Sequence, residues 1–294
     1  MLIKKEGEEL TCVIFTTHES FFPIYEKMRM DCRIAAVVVP ANRKGANKLE
    51  GVFKLCREHD INVVFQPFRS ALAEFHAFLH ANNVRMGVSW SYSQILFPET
   101  LALFPLGVWN MHGGKIPEYR GANVLQWAIA NGETHLGVTW HLMEEQVDAG
   151  DILAQAAIDL APEETALQAR EKIFNKGIET FNGLWDQFIS TGIHTAKPDL
   201  DETPSYKPRT VIDGLLMPGM SRKQVLDMMR AQCAPWPAPL VWWNNRLYSV
   251  IGTADQDTEE TVYFQTSDGC LPLSVRQYEG SYDIVNQAKE RLGL

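Results

Sequence analysis

Short apolar runs alternate with amphipathic stretches through the first two-thirds of the chain. Cys12 to Thr16 and Arg33 to Pro40 are compact, rich in β-branched residues, and predicted as strands. Between them Glu19 to Met30 returns Phe22, Tyr25 and Met28 to one face, which predicts a helix. The same alternation gives helices over 49–59 and 70–82 and strands over 62–66, 86–91, 107–111 and 136–143, with a helix over 123–131 between the last two. A strand over 151–160 and a long amphipathic helix from Pro162 to about Ile189 complete the series. Buried strands alternating with helices specify an α/β layer around a largely parallel sheet.

The pattern then changes. Pro198, Pro204, Pro208 and Pro218 lie among Asp and Thr and predict an extended linker. Beyond it Ser221 caps a predicted helix to Gln232. Asn244-Asn245 sits at the turn of a hairpin over 241–248, where positive φ is needed. Strands over 261–266 and 271–276 flank a Ser-Asp-Gly turn, and a helix runs from Tyr282 to Leu292. The expected organisation is a domain over 1–190, a linker over 191–212 and a small β-rich domain over 213–294.

Composition adds exclusions. The 294 residues are 46% hydrophobic and 21% charged, enough apolar material for a packed core and not the profile of a disordered chain. A net charge of −9 argues against a generally basic face for nucleic acid or anionic membrane. The five cysteines (Cys12, Cys32, Cys56, Cys233 and Cys270) are scattered without metal-ligand spacing, so reduced thiols and no metal are expected. Met1 to Leu10 is charged rather than apolar, and no run is long enough to span a bilayer. A soluble cytoplasmic protein is expected.

Several chemistries lack their motifs. No glycine occurs between Gly7 and Gly45, so the first strand-to-helix turn has no dinucleotide fingerprint. There is no P-loop and no His-Glu-X-X-His helix, and Arg222-Lys223 after Gly219-Met220-Ser221 spoils a nucleophile elbow. The informative stretch is 108–155. Side chains two apart on a strand share a face, so the buried run Gly107-Val-Trp-Asn-Met-His112 delivers Asn110 and His112 together at its carboxyl end, where ligands bind in open α/β sheets. Val147-Asp148-Ala149-Gly150 forms a tight acidic loop before the next strand. An amide can donate to a developing oxyanion, an imidazole can move a proton near neutrality, and a carboxylate can fix the imidazole tautomer and stabilise its charge. None is an obvious nucleophile, which suits direct attack by a substrate amine. Each also has a plainer reading: Asn-X-His arises by chance, Asp148 suits a turn, and His141 suits a satisfied core histidine.

Taken together the segments Asn110-Met-His112-Gly-Gly-Lys-Ile-Pro117-Glu-Tyr-Arg120-Gly121, Trp127-Ala-Ile-Ala-Asn131-Gly-Glu133, Gly137-Val-Thr139-Trp-His141 and Asp148-Ala-Gly150-Asp-Ile152 closely resemble the folate-dependent formyltransferase family. The resemblance is strong from about Gln66 to Gln155. It implies a Rossmann-like formyltransferase domain and 10-formyltetrahydrofolate as co-substrate, with Asn110, His112 and Asp148 as catalytic residues. Asn110 and a protonated His112 would stabilise the oxyanion, while Asp148 holds His112 and a water that relay the proton. It places the pterin against the backbone of Ser93, Gln94, Ile95 and Leu96 and the loop from Val147 to Gly150, whereas periodicity alone reads Ile95 and Leu96 as core. Met229-Arg230-Ala231 and Pro235-Trp236-Pro237 resemble the family's second domain, a small OB-like β-barrel, expected either to grip a large acceptor or to build a homodimer.

The acceptor amine is less sharply indicated. Lys115, Arg120, Arg43 and Lys48 are the candidate acceptor contacts, the last two in a short basic loop that suits a pyrophosphate, a phosphate backbone or plain solvation. His112-Gly-Gly-Lys-Ile-Pro117 departs from the Ser-Leu-Leu-Pro form usual in the methionyl-tRNA enzymes and resembles the amino-sugar enzymes. The opening strand lacks the Gly-Thr-Pro turn of the tRNA enzymes. These features favour a nucleotide-linked 4-amino sugar over methionyl-tRNA. Hydrolysis of the formyl folate is the third reading.

Overall fold

The structure is a computed structural model that describes residues 9–41, 49–201, 203 and 205–294. It divides into two compact units: Met1–Arg120 with Gly137–Ala157 and Ile173–Pro204, and Gly121–Leu136 with Ile158–Lys172 and Ser205–Leu294.

The expected alternation produces β1 (Thr11–Thr16), α1 (Phe22–Met28), β2 (Arg33–Pro40), α2 (Glu50–Glu58), β3 (Val63–Gln66), α3 (Leu72–Ala81) and β4 (Met86–Trp90). A short helix α4 (Pro98–Leu101), which periodicity missed, precedes β5 (Val108–His112). Then follow β6 (Arg120–Gly121), α5 (Val124–Ala130), β7 (His135–Leu142), β8 (Ile152–Asp159) and α6 (Ala166–Thr191). Seven strands form one sheet in the order β3-β2-β1-β4-β5-β7-β8. β1, β2, β3, β4 and β5 pair in parallel, whereas β5 and β7 pair antiparallel. That reversal leaves the sheet mostly parallel, as expected, and it sets the register Asn110 opposite His141 and His112 opposite Thr139.

Side-chain alternation gives each face of this sheet its own core. Val13, Phe15 and Val108 face α3 and pack with Phe75, Leu79, Leu96 and Phe104. On the other face Trp90, Trp109 and Trp140 meet Phe181, Trp185 and Phe188 of α6. Gly177 lets α6 come close: the Trp140 indole N–H donates to its carbonyl at 2.9 Å, and a Cβ there would stand 3.1 Å from the Trp90 ring.

In the second unit β10 (Leu240–Trp243), β11 (Arg246–Thr253), β12 (Thr261–Thr266) and β13 (Gly269–Gln277) form an antiparallel sheet in the order β10-β11-β13-β12. β9 (Ser205–Tyr206) pairs with β6 upstream of them. The β-rich character expected here is present, as a four-stranded sheet. Asn244 and Asn245 adopt φ of 44° and 64° at the β10–β11 turn, as the hairpin requires. Helix α7 (Arg222–Ala231) is capped by Ser221, whose hydroxyl accepts from the Gln224 N–H in a reciprocal capping box. Helix α8 (Tyr282–Leu292) closes the chain. Among the described residues no helix is long and apolar enough to cross a membrane.

Candidate active site

The carboxyl end of β5 carries Asn110 and His112, and the loop 147–150 brings Asp148 to them. The Asp148 carboxylate lies between two imidazoles, Oδ2 at 3.4 Å from His112 Nδ1 and Oδ1 at 3.4 Å from His141 Nε2. His112, His141 and Asp148 are all nearly sealed from solvent. Two devices hold the loop. Asp148 adopts φ of 52°, a left-handed conformation that Asp tolerates better than most residues. Gly150 lies against the end of β7, where a Cβ would come within 2.0 Å of the Leu142 carbonyl oxygen, so only glycine fits.

Donor and acceptor roles follow from the partners. His112 Nε2 is 2.6 Å from the Tyr119 carbonyl, which can only accept, so Nε2 carries the proton. The tautomer is therefore set by a main-chain carbonyl, not by the carboxylate as the sequence suggested, and Nδ1 is the nitrogen left to take up a proton. Burial pushes the His112 pKa below the ordinary histidine value, against the opposing pull of Asp148 and the Tyr119 carbonyl. Burial thus favours the neutral imidazole over the charged one.

His141 is read from sequence as a core residue, but the structure places it in the site. Its Nδ1 donates to the Leu142 carbonyl at 2.8 Å, which leaves Nε2 to accept from the Asn110 side-chain amide at 3.1 Å. That contact fixes which end of the Asn110 amide is nitrogen and leaves its second N–H for a ligand. Its sequence signal was Thr139-Trp-His141, a second polar-X-polar alternation on an apolar strand.

Thr139 is the hub of the neighbouring loop. Its hydroxyl donates to the Gly114 carbonyl at 2.8 Å and accepts from the Ile116 N–H at 3.2 Å and Gln155 Nε2 at 3.0 Å. Gln155 also donates to the Ile116 carbonyl at 2.7 Å. Thr139→Val strips this hub while keeping its shape. We expect it to cost about 1–3 kcal/mol, the penalty for buried polar groups left unpaired, read as a shift of the urea midpoint.

The remaining sequence candidates fall in different places. Ser93, Gln94 and Ile95 form an anchored, largely exposed segment: the Gln66 side chain donates to the Ile95 carbonyl at 2.9 Å, and Gln94 Nε2 donates to the Pro67 carbonyl at 2.8 Å. Leu96 is buried among Phe15 and Phe104, so its side chain belongs to the core and only its backbone remains for a ligand. Ile95 and Val147 are 65% and 59% exposed, unusual for apolar side chains, and the buried Gln94 Oε1 has no hydrogen-bond partner among the described residues. Lys115 is exposed and paired with Glu118 at 2.6 Å. Arg120 is 8% exposed, donates to the Thr203 carbonyl, and has its Nε and Nη1 buried. The structure thus brings Asn110, His112 and Asp148 together and leaves Lys115 and Arg120 outside their hydrogen-bonded cluster. Arg43 and Lys48 lie outside the described residues.

Comparison with known proteins bears on the fold and the family. The chain is similar in structure to WlaRD, a sugar 3N-formyl transferase solved in the presence of dTDP and 5-N-formyl-THF, with a TM-score of 0.68 and 16% identity over 94% of this chain and 100% of that one. It is also similar to a 4-N formyltransferase from Francisella tularensis, with a TM-score of 0.66 and 17% identity over 81% and 94% of the two chains. For glycinamide ribonucleotide transformylase 1 from Symbiobacterium toebii the TM-score is 0.55, with 19% identity over 66% of this chain and 96% of that one. At such identities these likenesses establish the fold alone. The sequence model of the formyl transferase family matches residues 13–182, more than half of the chain, and the protein belongs to that family.

Proposed function

We propose that this protein transfers a formyl group from 10-formyltetrahydrofolate to the amino group of a nucleotide-linked amino sugar. The observation that carries formyl transfer is the convergence of Asn110, His112 and Asp148 at one carboxyl strand end. The sugar acceptor is supported by structural likeness to a sugar 3N-formyl transferase, a 4-N formyltransferase and an N-formyltransferase from Helicobacter canadensis complexed with folinic acid and dTDP-3-aminofucose. Because both 3- and 4-amino enzymes occur among these, the 4-amino preference rests on sequence resemblance.

The exposed Ile95 and Val147 and the unpartnered Gln94 Oε1 suit a flat heteroaromatic ring that offers hydrogen-bond donors at its edge. Bound there, the formyl folate supplies the one-carbon electrophile. The free N–H of Asn110 donates to the formyl oxygen as it gathers charge. His112 Nδ1 takes the proton shed by the attacking amine, and Asp148 stabilises the imidazolium so formed. His112 then returns that proton to the folate nitrogen as its bond to the formyl carbon breaks. The amine becomes a formamide, the folate becomes tetrahydrofolate, and the enzyme regains its starting protonation.

The test follows tetrahydrofolate release with thymidine-diphosphate 3- and 4-amino sugars, with charged initiator tRNA, and with no acceptor. Release only with an amino sugar is expected. Release with tRNA would make the protein a methionyl-tRNA formyltransferase, and equal release without acceptor a hydrolase.

The neutral state of His112 predicts a pH profile. Because the active form is the unprotonated one and its pKa is depressed, kcat/KM calculated for the unprotonated acceptor amine should stay flat through neutrality and fall only below about pH 6.5. The effect on stability has the same sign. The unfolded chain binds this proton near the ordinary value and the folded chain only at lower pH, so acidification through that window favours unfolding.

A further inference from the structure

The carboxyl end of β1 carries a second, separate hydrogen-bonded device. The Trp90 indole N–H, which can only donate, reaches Ser20 Oγ at 2.9 Å. Ser20 Oγ lies 2.8 Å from His18 Nδ1, and the Ser20 main-chain N–H also donates to that nitrogen at 3.2 Å. A nitrogen facing an N–H donor cannot itself be protonated, so Ser20 gives its hydroxyl proton to Nδ1 and the His18 proton sits on Nε2. Among the described residues, nothing accepts from Nε2. The ring packs edge-on against Phe174 at 5.3 Å, which fixes its plane. The half-buried His18 thus presents one N–H donor with its tautomer locked from behind.

Its position is the second observation. β1 and β4 are neighbours, with Thr16 opposite Trp90, and the sheet order turns here because β2 and β3 lie on one side of β1 and β4 and β5 on the other. In open α/β sheets ligands bind in the crevice at such a switch point. The crevice is held by the Thr17 hydroxyl, which donates to the Ser91 carbonyl at 2.5 Å, and by Ser91 at φ of 51°. β5 is two strands from β1, so this row of carboxyl ends spans about 10 Å between His18's strand and the catalytic one. That is the reach of a sugar ring with one substituent.

The third observation decides which substrate His18 faces. The segment expected to hold the pterin leaves β4 on the α3 side, where Tyr92 packs on Phe15 and Gln94 and Ile95 are tied to the end of β3. His18 lies on the other side, against α6. Ile173, next to Phe174, is the side chain nearest Gly113, which follows His112.

We propose that His18 anchors the acceptor, its Nε2–H donating to a hydroxyl or phosphoryl oxygen of the amino-sugar nucleotide while the amine reaches the catalytic row. This rests on the proposed formyl transfer to such an acceptor. His18→Phe keeps the packing on Phe174 and removes the donor; it should raise the acceptor KM by about tenfold while leaving the formyl-folate KM and kcat within about twofold. His18→Gln restores a donor near the Nε2 position and should recover most of that loss. Ser20→Ala removes the hydroxyl donor to Nδ1 and keeps the main-chain one, so it weakens the lock and should fall between wild type and His18→Phe. A penalty that vanishes with the free amino sugar assigns the phosphoryl oxygen, and one that persists assigns a hydroxyl. An unchanged acceptor KM in His18→Phe, or an equal rise in the formyl-folate KM, overturns the proposal.

A readout independent of turnover separates this from the wider reading. Long-range 15N correlations of the wild-type imidazoles should give His18 as the Nε2–H tautomer, and its Nε2 shift should move on adding the amino-sugar nucleotides or dTDP. An Nδ1–H tautomer, or no movement with any of them, defeats the anchoring role. Absence of formyl transfer to every amine, with the His18 signal still moving, defeats only the assigned reaction.

Discussion

Asp148→Asn should lower kcat by about 10²–10⁴-fold while leaving the folded structure and the formyl-folate KM close to those of the wild type. The substitution is nearly isosteric, and Asn tolerates the φ of 52° at this position as well as Asp does, so the loop keeps its path. What changes is the charge 3.4 Å from His112 Nδ1. Burial already opposes protonation of that imidazole, and the carboxylate offsets it more than the Tyr119 carbonyl does. Without it, the imidazolium needed midway through transfer loses its counter-charge in a water-poor site. Single-turnover kinetics give the effect on the chemical step and thermal unfolding gives the control. Wild-type turnover in this variant would remove Asp148 from the mechanism.

Gly150→Ala should be the most damaging small substitution near the site, destabilising the protein by about 2–4 kcal/mol. The added methyl would meet the Leu142 carbonyl oxygen at 2.0 Å, and that oxygen is main chain at the end of a sheet strand, so neither partner can swing away. Relief requires the loop to lift. Lifting it carries Asp148 away from His112 and His141 together, so activity should fall further than the folded fraction does. Circular dichroism melts and the specific activity of the folded protein separate the two losses. Gly113→Ala is the fitting comparison, because there a Cβ would stand 3.3 Å from the Ile173 Cγ2 methyl, a tight contact with a side chain rather than an overlap with main chain. A Gly150→Ala protein as stable and active as Gly113→Ala would contradict this account of the loop.

Much of the site was legible in sequence because the relevant physics is local. Asn110 and His112 share a face because strands repeat every two residues, and the tight Val147–Gly150 loop announces itself by composition. Ile95 shows the limit. Periodicity read both Ile95 and Leu96 as core, and the structure buries Leu96 with Phe15 and Phe104 but leaves Ile95 65% exposed. A run of residues in contact with a ligand need not present every side chain to it, because alternate ones turn inward.

His141 shows the limit differently. Its place opposite Asn110 depends on β7 running antiparallel to β5, and direction and register are set by pairing across the sheet, which no local period encodes. The same holds for the Tyr119 carbonyl that fixes the His112 tautomer, since a main-chain oxygen leaves no mark on the choice of side chain. The sequence by itself determined the order of elements and the three chemical groups at the strand end. Only the tertiary structure decided where the protons sit and how the amide, the two imidazoles and the carboxylate face one another. Hydrogen-bond partners and desolvation are properties of the assembled neighbourhood, and they come into being only when distant segments pack.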